Sequence, residues 1–177
     1  MTDPTTSAPT SALRTVNGVF KGGGAKGIAY AGALTAMRER GLWFHSVAGA
    51  SAGAITASLI ASGMDPDELA AAVPKGLAAM QSSLPQRVAK AVLGQATSVF
   101  ESKGLRAWLD GVLAERIGKT DGTPVTFEEL FQSKGIELYV VAMDLSNGLP
   151  VVFCRRTTPT VEAAGAVAAS SATPGAF

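Results

Sequence analysis

The stretch Gly49-Ala50-Ser51-Ala52-Gly53 separates an apolar run, LWFHSVAG, from the helical pattern AGAITASLIASG. A Gly-x-Ser-x-Gly between a strand and a helix is the pattern of a nucleophile elbow, in which a serine is carried on a sharp turn. Small residues at 49, 50, 52 and 53 permit that turn and let a substrate approach Ser51 closely. The helix start adds its dipole. The same residues also read as a plain helix entry, with Ser51 as an N-cap. A second cluster, Gly22-Gly23-Gly24-Ala25-Lys26-Gly27, follows the strand-like TVNGVF and opens another helix. Gly22, Gly24 and Gly27 match the spacing of a dinucleotide fingerprint, but the second strand ends in VAGASAG, without the acid that would hold a ribose. A P-loop needs Lys and then Ser or Thr after its last glycine, and Ile28-Ala29 follow here. A nucleotide-binding module, testable by NAD or ATP binding, is therefore the weaker alternative. Backbone N–H groups of a glycine loop at a helix start can instead hold an anion, including a transient oxyanion. In a parallel sheet both turns emerge at the strands' C-terminal edge, where active sites form.

A serine nucleophile needs a base. The sole histidine, His45, precedes Ser51 on the same predicted strand. At ~3.3 Å per residue it lies roughly 15–20 Å away, towards the wrong end of the sheet. A histidine triad is thereby set aside, and a carboxylate base remains. Asp110 falls inside an amphipathic helix, Asp121-Gly122-Thr123-Pro124 is a turn, and Asp144 ends a strand. None of these, nor Asp65 or Asp67, is assigned as the base. One cysteine and one histidine cannot build a zinc site, so no metal or other cofactor is expected.

The elements that must position these groups follow from periodicity. GIAYAGALTAMRERG reads as a helix with Ile28, Ala31, Leu34, Thr35 and Met37 near one face and Gly41 as its stop. SAGAITASLIASG has almost no polar face and should be buried. Asp65 caps the next helix, with Pro66 in its first position and Glu68 completing a capping pattern. Residues 74–100 are broken by Pro74, Pro85 and Gly94 and read as amphipathic helices, with a lid or interfacial pair as the alternative. KGLRAWLDGVLAERIG carries Leu105, Trp108, Leu109, Val112 and Leu113 on one stripe. Thr126-Phe127-Glu128-Glu129 is a capping box opening a helix to about Gln132. IELYVVAMDL and LPVVFC are strands joined by Ser146-Asn147-Gly148, and VEAAGAVAASS is a final helix. Alternating strands and helices imply an α/β layered domain with a largely parallel sheet.

The 177 residues suffice for one domain with a sizeable core. Fifteen basic and 14 acidic residues give a net charge of +1, which offers no electrostatic case for nucleic acid. Cys154 alone permits a reducing compartment. MTDPTTSAPTSALR has neither the basic nor the apolar region of a signal peptide and reads as a disordered tail over 1–14. No charge-free run of about 18 apolar residues suggests a spanning helix. A cytoplasmic protein is the expectation.

GGGAKGIAYAGAL (22–34), GASAGAI (49–55), VVAMDLSNGLPVVF (140–153) and AVAASSATPGAF (166–177) together resemble the patatin-like phospholipases, lipid acyl hydrolases with a Ser–Asp dyad. The resemblance covers almost the whole chain. It implies a three-layer α/β/α domain over 15–177, Ser51 as nucleophile in an elbow flanked by Gly49 and Gly53, and an oxyanion hole around Gly22, Gly23 and Gly24. Lys26 and Gly27 belong to the same glycine loop. It also implies a lipid substrate, with transient contact to a membrane or lipid interface. The family's base is the Asp of an Asp-Gly-Gly/Ala motif following the block that AVAASSATPGAF resembles, and the chain ends at Phe177 without it. A truncated sequence, a partner chain supplying the Asp and a pseudoenzyme that binds lipid without turnover are the three explanations. An incomplete sheet would also leave an uncovered edge, favouring oligomers or poor solubility.

Overall fold

In Arg14–Phe20 the alternation of inward and outward residues, with Gly18 and Phe20 buried and Val19 exposed, makes β1 a strand with one covered face. The computed structural model describes residues 14–23, 29–81 and 102–172. Residues 1–13 of the expected 1–14 tail, Gly24, Lys26, Gly27, Ile28, the 82–100 part of the expected lid or helix pair and the end from Thr173 lie outside them, while Arg14, expected in the tail, opens β1. Within them the order is β1, α1 (Ala29–Glu39), β2 (Leu42–Gly49), α2 (Ala52–Ala61), α3 (Pro66–Gln81), α4 (Ser102–Ile117), α5 (Phe127–Lys134), β3 (Glu137–Asp144), β4 (Leu149–Cys154) and α6 (Ala163–Ser171). The sheet order is β1-β2-β3-β4. The first three strands are parallel, and β4 folds back antiparallel on β3 across the 145–148 turn. The expected α/β class and mainly parallel sheet are what the chain adopts.

The register of β1 on β2 slips between Val16 and Asn17, which pair with Phe44 and Ser46. His45 is the extra residue of this bulge, and it is exposed. Helix α2 lies against β1, β2 and β3, and α6 lies against β3 and α2. All ten residues of α2 are buried, as its lack of a polar face predicts. Burying side chains such as Ile55, Leu59 and Ile60 contributes about 1.5–3 kcal/mol each. Leu105, Leu109 and Leu113 form the buried stripe of α4, with Trp108 and Val112 packed at its margin. The opposite face of the sheet carries Val19, Met143 and Val152 at 82%, 57% and 46% exposure. The described residues thus supply the sheet and one helical layer of the three that the family resemblance implies.

Two local expectations change. Pro74 does not break α3, which continues to Gln81. Its missing N–H forfeits one intrahelical bond. Burial of Leu69 and Val73, and the seat of Trp108 against Gly76, hold the helix through that point. On α1, Thr35 is exposed and its hydroxyl donates to the Ala31 carbonyl (3.1 Å). The inner face runs instead through Tyr30, Leu34 and Met37, an i, i+4, i+7 stripe.

The caps form as their sequences require. Asp65 and Glu68 exchange side-chain and backbone hydrogen bonds at the start of α3. Thr126 and Glu129 do the same at α5. Lys119 Nζ donates to Glu129 Oε1 (2.6 Å), and this bond, ahead of the cap itself, holds the Glu129 carboxyl below its ordinary pKa of 4.5. A carboxylate with a depressed folded pKa stabilises the fold fully above its unfolded value and loses that contribution as pH falls through the folded one. Glu129→Gln should therefore be less stable than the parent at pH 7, with the gap closing below about pH 4. Urea denaturation at both pH values checks this, and a gap independent of pH would disprove it.

Candidate active site

The backbone of Ser51 sits at φ 54, ψ −125, and it is the only non-glycine at positive φ among the described residues. An L-residue pays steric strain there, and the conformation persists only where its surroundings impose it. Three neighbours impose it here. The Ala50 N–H donates to the carbonyl of Phe20 at the end of β1 (3.2 Å). The Ser51 N–H donates to Ser170 Oγ on α6 (2.9 Å). The Ser51 carbonyl accepts from Ala54 N–H (2.9 Å) in the first turn of α2.

Glycines make the turn sterically possible. A Cβ on Gly49 would overlap the carbonyl of Gly53, and one on Gly53 would overlap the carbonyl of Phe20. The start of α2 therefore touches the ends of β1 and β2 backbone to backbone. Gly22 lies beside the serine, where a Cβ would come within 3.3 Å of Ser51 Cβ. The two glycine motifs thus meet at one point of the sheet's C-terminal edge. Neither Gly22 nor Gly23 uses its N–H in a backbone hydrogen bond among the described residues. Tyr30 ties the loop's origin down: its ring packs edge-on against Phe20 (5.1 Å between centroids) and its hydroxyl donates to the Lys21 carbonyl (3.0 Å).

The N-cap reading of Ser51 predicts a side-chain bond to the following amides, and the serine makes none. Its hydroxyl is uncommitted among the described residues. No base meets it there either. His45 lies on the exposed bulge six positions upstream. Asp65 caps α3. Asp121 binds the amide and hydroxyl of Thr123, which lowers its pKa. Asp144 accepts from the Ser146 N–H in the β3–β4 turn. Asp110 pairs with Arg106 at 3.8 Å, and burial raises its pKa. Each of these four carboxylates has its partners away from Ser51.

Ser170 and Tyr30 are the site neighbours that motif reading passed over. Ser170 falls inside the quoted block AVAASSATPGAF, so the block marked its importance without giving it a partner. Among the described residues no cluster of His, Cys, Asp and Glu could hold a metal ion, and no helix is long and apolar enough to cross a membrane.

A sequence model of the family described as patatin-like phospholipase matches residues 18–177. The Bacillus subtilis protein YqhO, itself uncharacterised, is 34% identical over 146 residues, which is 77% of this chain and 46% of YqhO. Among solved structures, ExoU from the type III secretion system of Pseudomonas aeruginosa, crystallised in complex with SpcU, aligns with a TM-score of 0.62 at 29% identity. That match covers 93% of this chain and 39% of the ExoU chain. VipD from Legionella pneumophila, at 20% identity and a TM-score of 0.50, shares the fold over 89% of this chain. The chain spans less than half the length of each of these proteins. With the family match covering nearly all of its residues, the chain belongs to the patatin-like phospholipase family.

Proposed function

We propose that this chain carries the nucleophile and oxyanion-binding part of a lipid acyl hydrolase, a serine esterase of the phospholipase A type. The observation that supports this most directly is the strained backbone of Ser51, with its hydroxyl unpartnered among the described residues and Gly22 against it. A serine that served only to cap α2 would relax to negative φ and bond the helix amides.

In this reading Ser51 Oγ attacks the ester carbonyl of a phospholipid or related lipid. Its proton passes to an Asp that lies outside the 177 residues, in further sequence or in a partner chain. The carbonyl π pair moves onto oxygen, which accepts hydrogen bonds from amides of the glycine loop that begins at Gly22. Collapse expels the alcohol half, which takes the proton from the Asp, and leaves an acyl-serine. Water, deprotonated by the same Asp, then releases the fatty acid and restores Ser51. Transient contact with a lipid interface brings the substrate to the site.

A second reading is a chain that binds lipid without turnover. It is favoured by the absence of any carboxylate at Ser51 among the described residues. A fluorophosphonate probe separates the two. An adduct mapped to Ser51 by mass spectrometry, and absent from Ser51→Ala, supports the esterase. No adduct on Ser51 even in a preparation supplied with the missing Asp, or one on another serine, overturns it.

A further inference from the structure

We infer that Ser170 is a positioning residue that holds Ser51 in its attacking conformation instead of its capping one. The inference rests on the reading of Ser51 as nucleophile.

The Ser170 hydroxyl does two things at once. Its oxygen accepts the Ser51 N–H (2.9 Å), and its hydrogen is donated to the Val141 carbonyl on β3 (2.6 Å). A hydroxyl can accept and donate simultaneously. Here it joins the elbow to the middle strand through the end of α6. The donation to Val141 fixes the orientation of the oxygen, so its lone pair stays aimed at the Ser51 amide. The neighbouring amide, Ala50 N–H, is held by Phe20 on the other side. The peptide units on either side of Ala50 are therefore each pinned from a different strand or helix.

At negative φ a serine in this position becomes an ordinary N-cap, with Oγ accepting from the second or third amide of the helix. For Ser51 those amides belong to Gly53 and Ala54. In that state Oγ turns onto the helix and away from the place where a carbonyl carbon would sit. The Ser170 bond makes the positive-φ state the lower one. Removing its hydroxyl leaves the Ser51 N–H partly buried without an acceptor, and the least costly repair is the rotation that produces the cap.

The test uses Ser170→Ala and Ser170→Thr, with thermal melting to set the folded fraction. Hydrogen exchange reads the Ser51 amide, and fluorophosphonate labelling reads the hydroxyl. Ser170→Ala should lose protection at the Ser51 amide. It should also cut the maximal labelling rate of the folded protein between about 5- and 100-fold, with probe affinity unchanged. Ser170→Thr, which keeps the hydroxyl, should restore both. A lower melting point accompanied by an unchanged maximal rate and unchanged amide protection would mark a merely structural serine and overturn the inference. If the parent protein, supplied with the missing Asp, takes no label at Ser51, the esterase reading falls. Amide exchange then still decides the inference: equal protection in the parent and Ser170→Ala refutes the hold, and loss with rescue by Thr sustains it.

Discussion

Ser51→Ala is expected to lower acyl-ester turnover by about 10⁶-fold, the loss seen when a serine hydrolase is stripped of its nucleophile. The comparison holds for any preparation that turns over ester, whether this chain alone or one supplied with the missing acid. The substitution keeps Cβ, so it removes the hydroxyl while leaving the strain at φ 54 in place. Its melting temperature should therefore match the parent's. Ser51→Gly should be equally inactive but more stable, because glycine adopts positive φ without the steric penalty, worth about 1–3 kcal/mol at strained positions. Ester hydrolysis and thermal melting of the three proteins check both halves. Residual turnover near the parent's in Ser51→Ala would end the assignment of the nucleophile.

Gly53→Ala carries the largest expected effect on folding. Alanine in a helix is ordinarily better than glycine by about 1 kcal/mol. Here the added Cβ would meet the Phe20 and Lys21 carbonyls, which are backbone and cannot swing aside. Relief requires α2 to back away from β1, yet every residue of α2 is packed. The cost should reach about 4 kcal/mol or more, beyond the usual range for a single substitution. Gly111→Ala on α4 is the matched control, since its Cβ would meet nothing within 4 Å. It should gain up to about 1 kcal/mol. Denaturant midpoints of the two variants should move in opposite directions. A Gly53→Ala protein as stable as its parent would mean that the helix does not start this close to the strand.

The contrast between these two glycines shows what sequence can carry. The tight strand-to-helix turn at Gly49, Ser51 and Gly53 is legible because its steric requirements are confined to five consecutive residues. The burial of α2 is legible because none of its faces is polar. The caps at Asp65 and Thr126 are legible because each closes within three residues. Contacts between distant segments leave no such trace. Nothing near Ser170 states that its hydroxyl meets an amide 119 positions earlier. Tyr30 is the inner residue where Thr35 was expected, because the aromatic end of β1, and not helical spacing alone, selects the face of α1. Pro74 reads as a break from its own chemistry, but the packing of Leu69 and Val73 against neighbouring helices outweighs one lost hydrogen bond. The base is illegible for a simpler reason: no described carboxylate faces the serine.

The bond between Ser51 and Ser170 also orders events during synthesis. Strands β1 and β2 and helix α2 leave the ribosome early, but the acceptor for the Ser51 amide arrives 119 residues later. Closing so long a loop comes late in folding. A nascent chain therefore holds its serine before it holds the group that cocks it. Until α6 docks, the elbow is free to rest as an ordinary helix cap, its hydroxyl folded away. On the proposed reading of Ser51, reactivity towards esters is acquired only after α6 has docked.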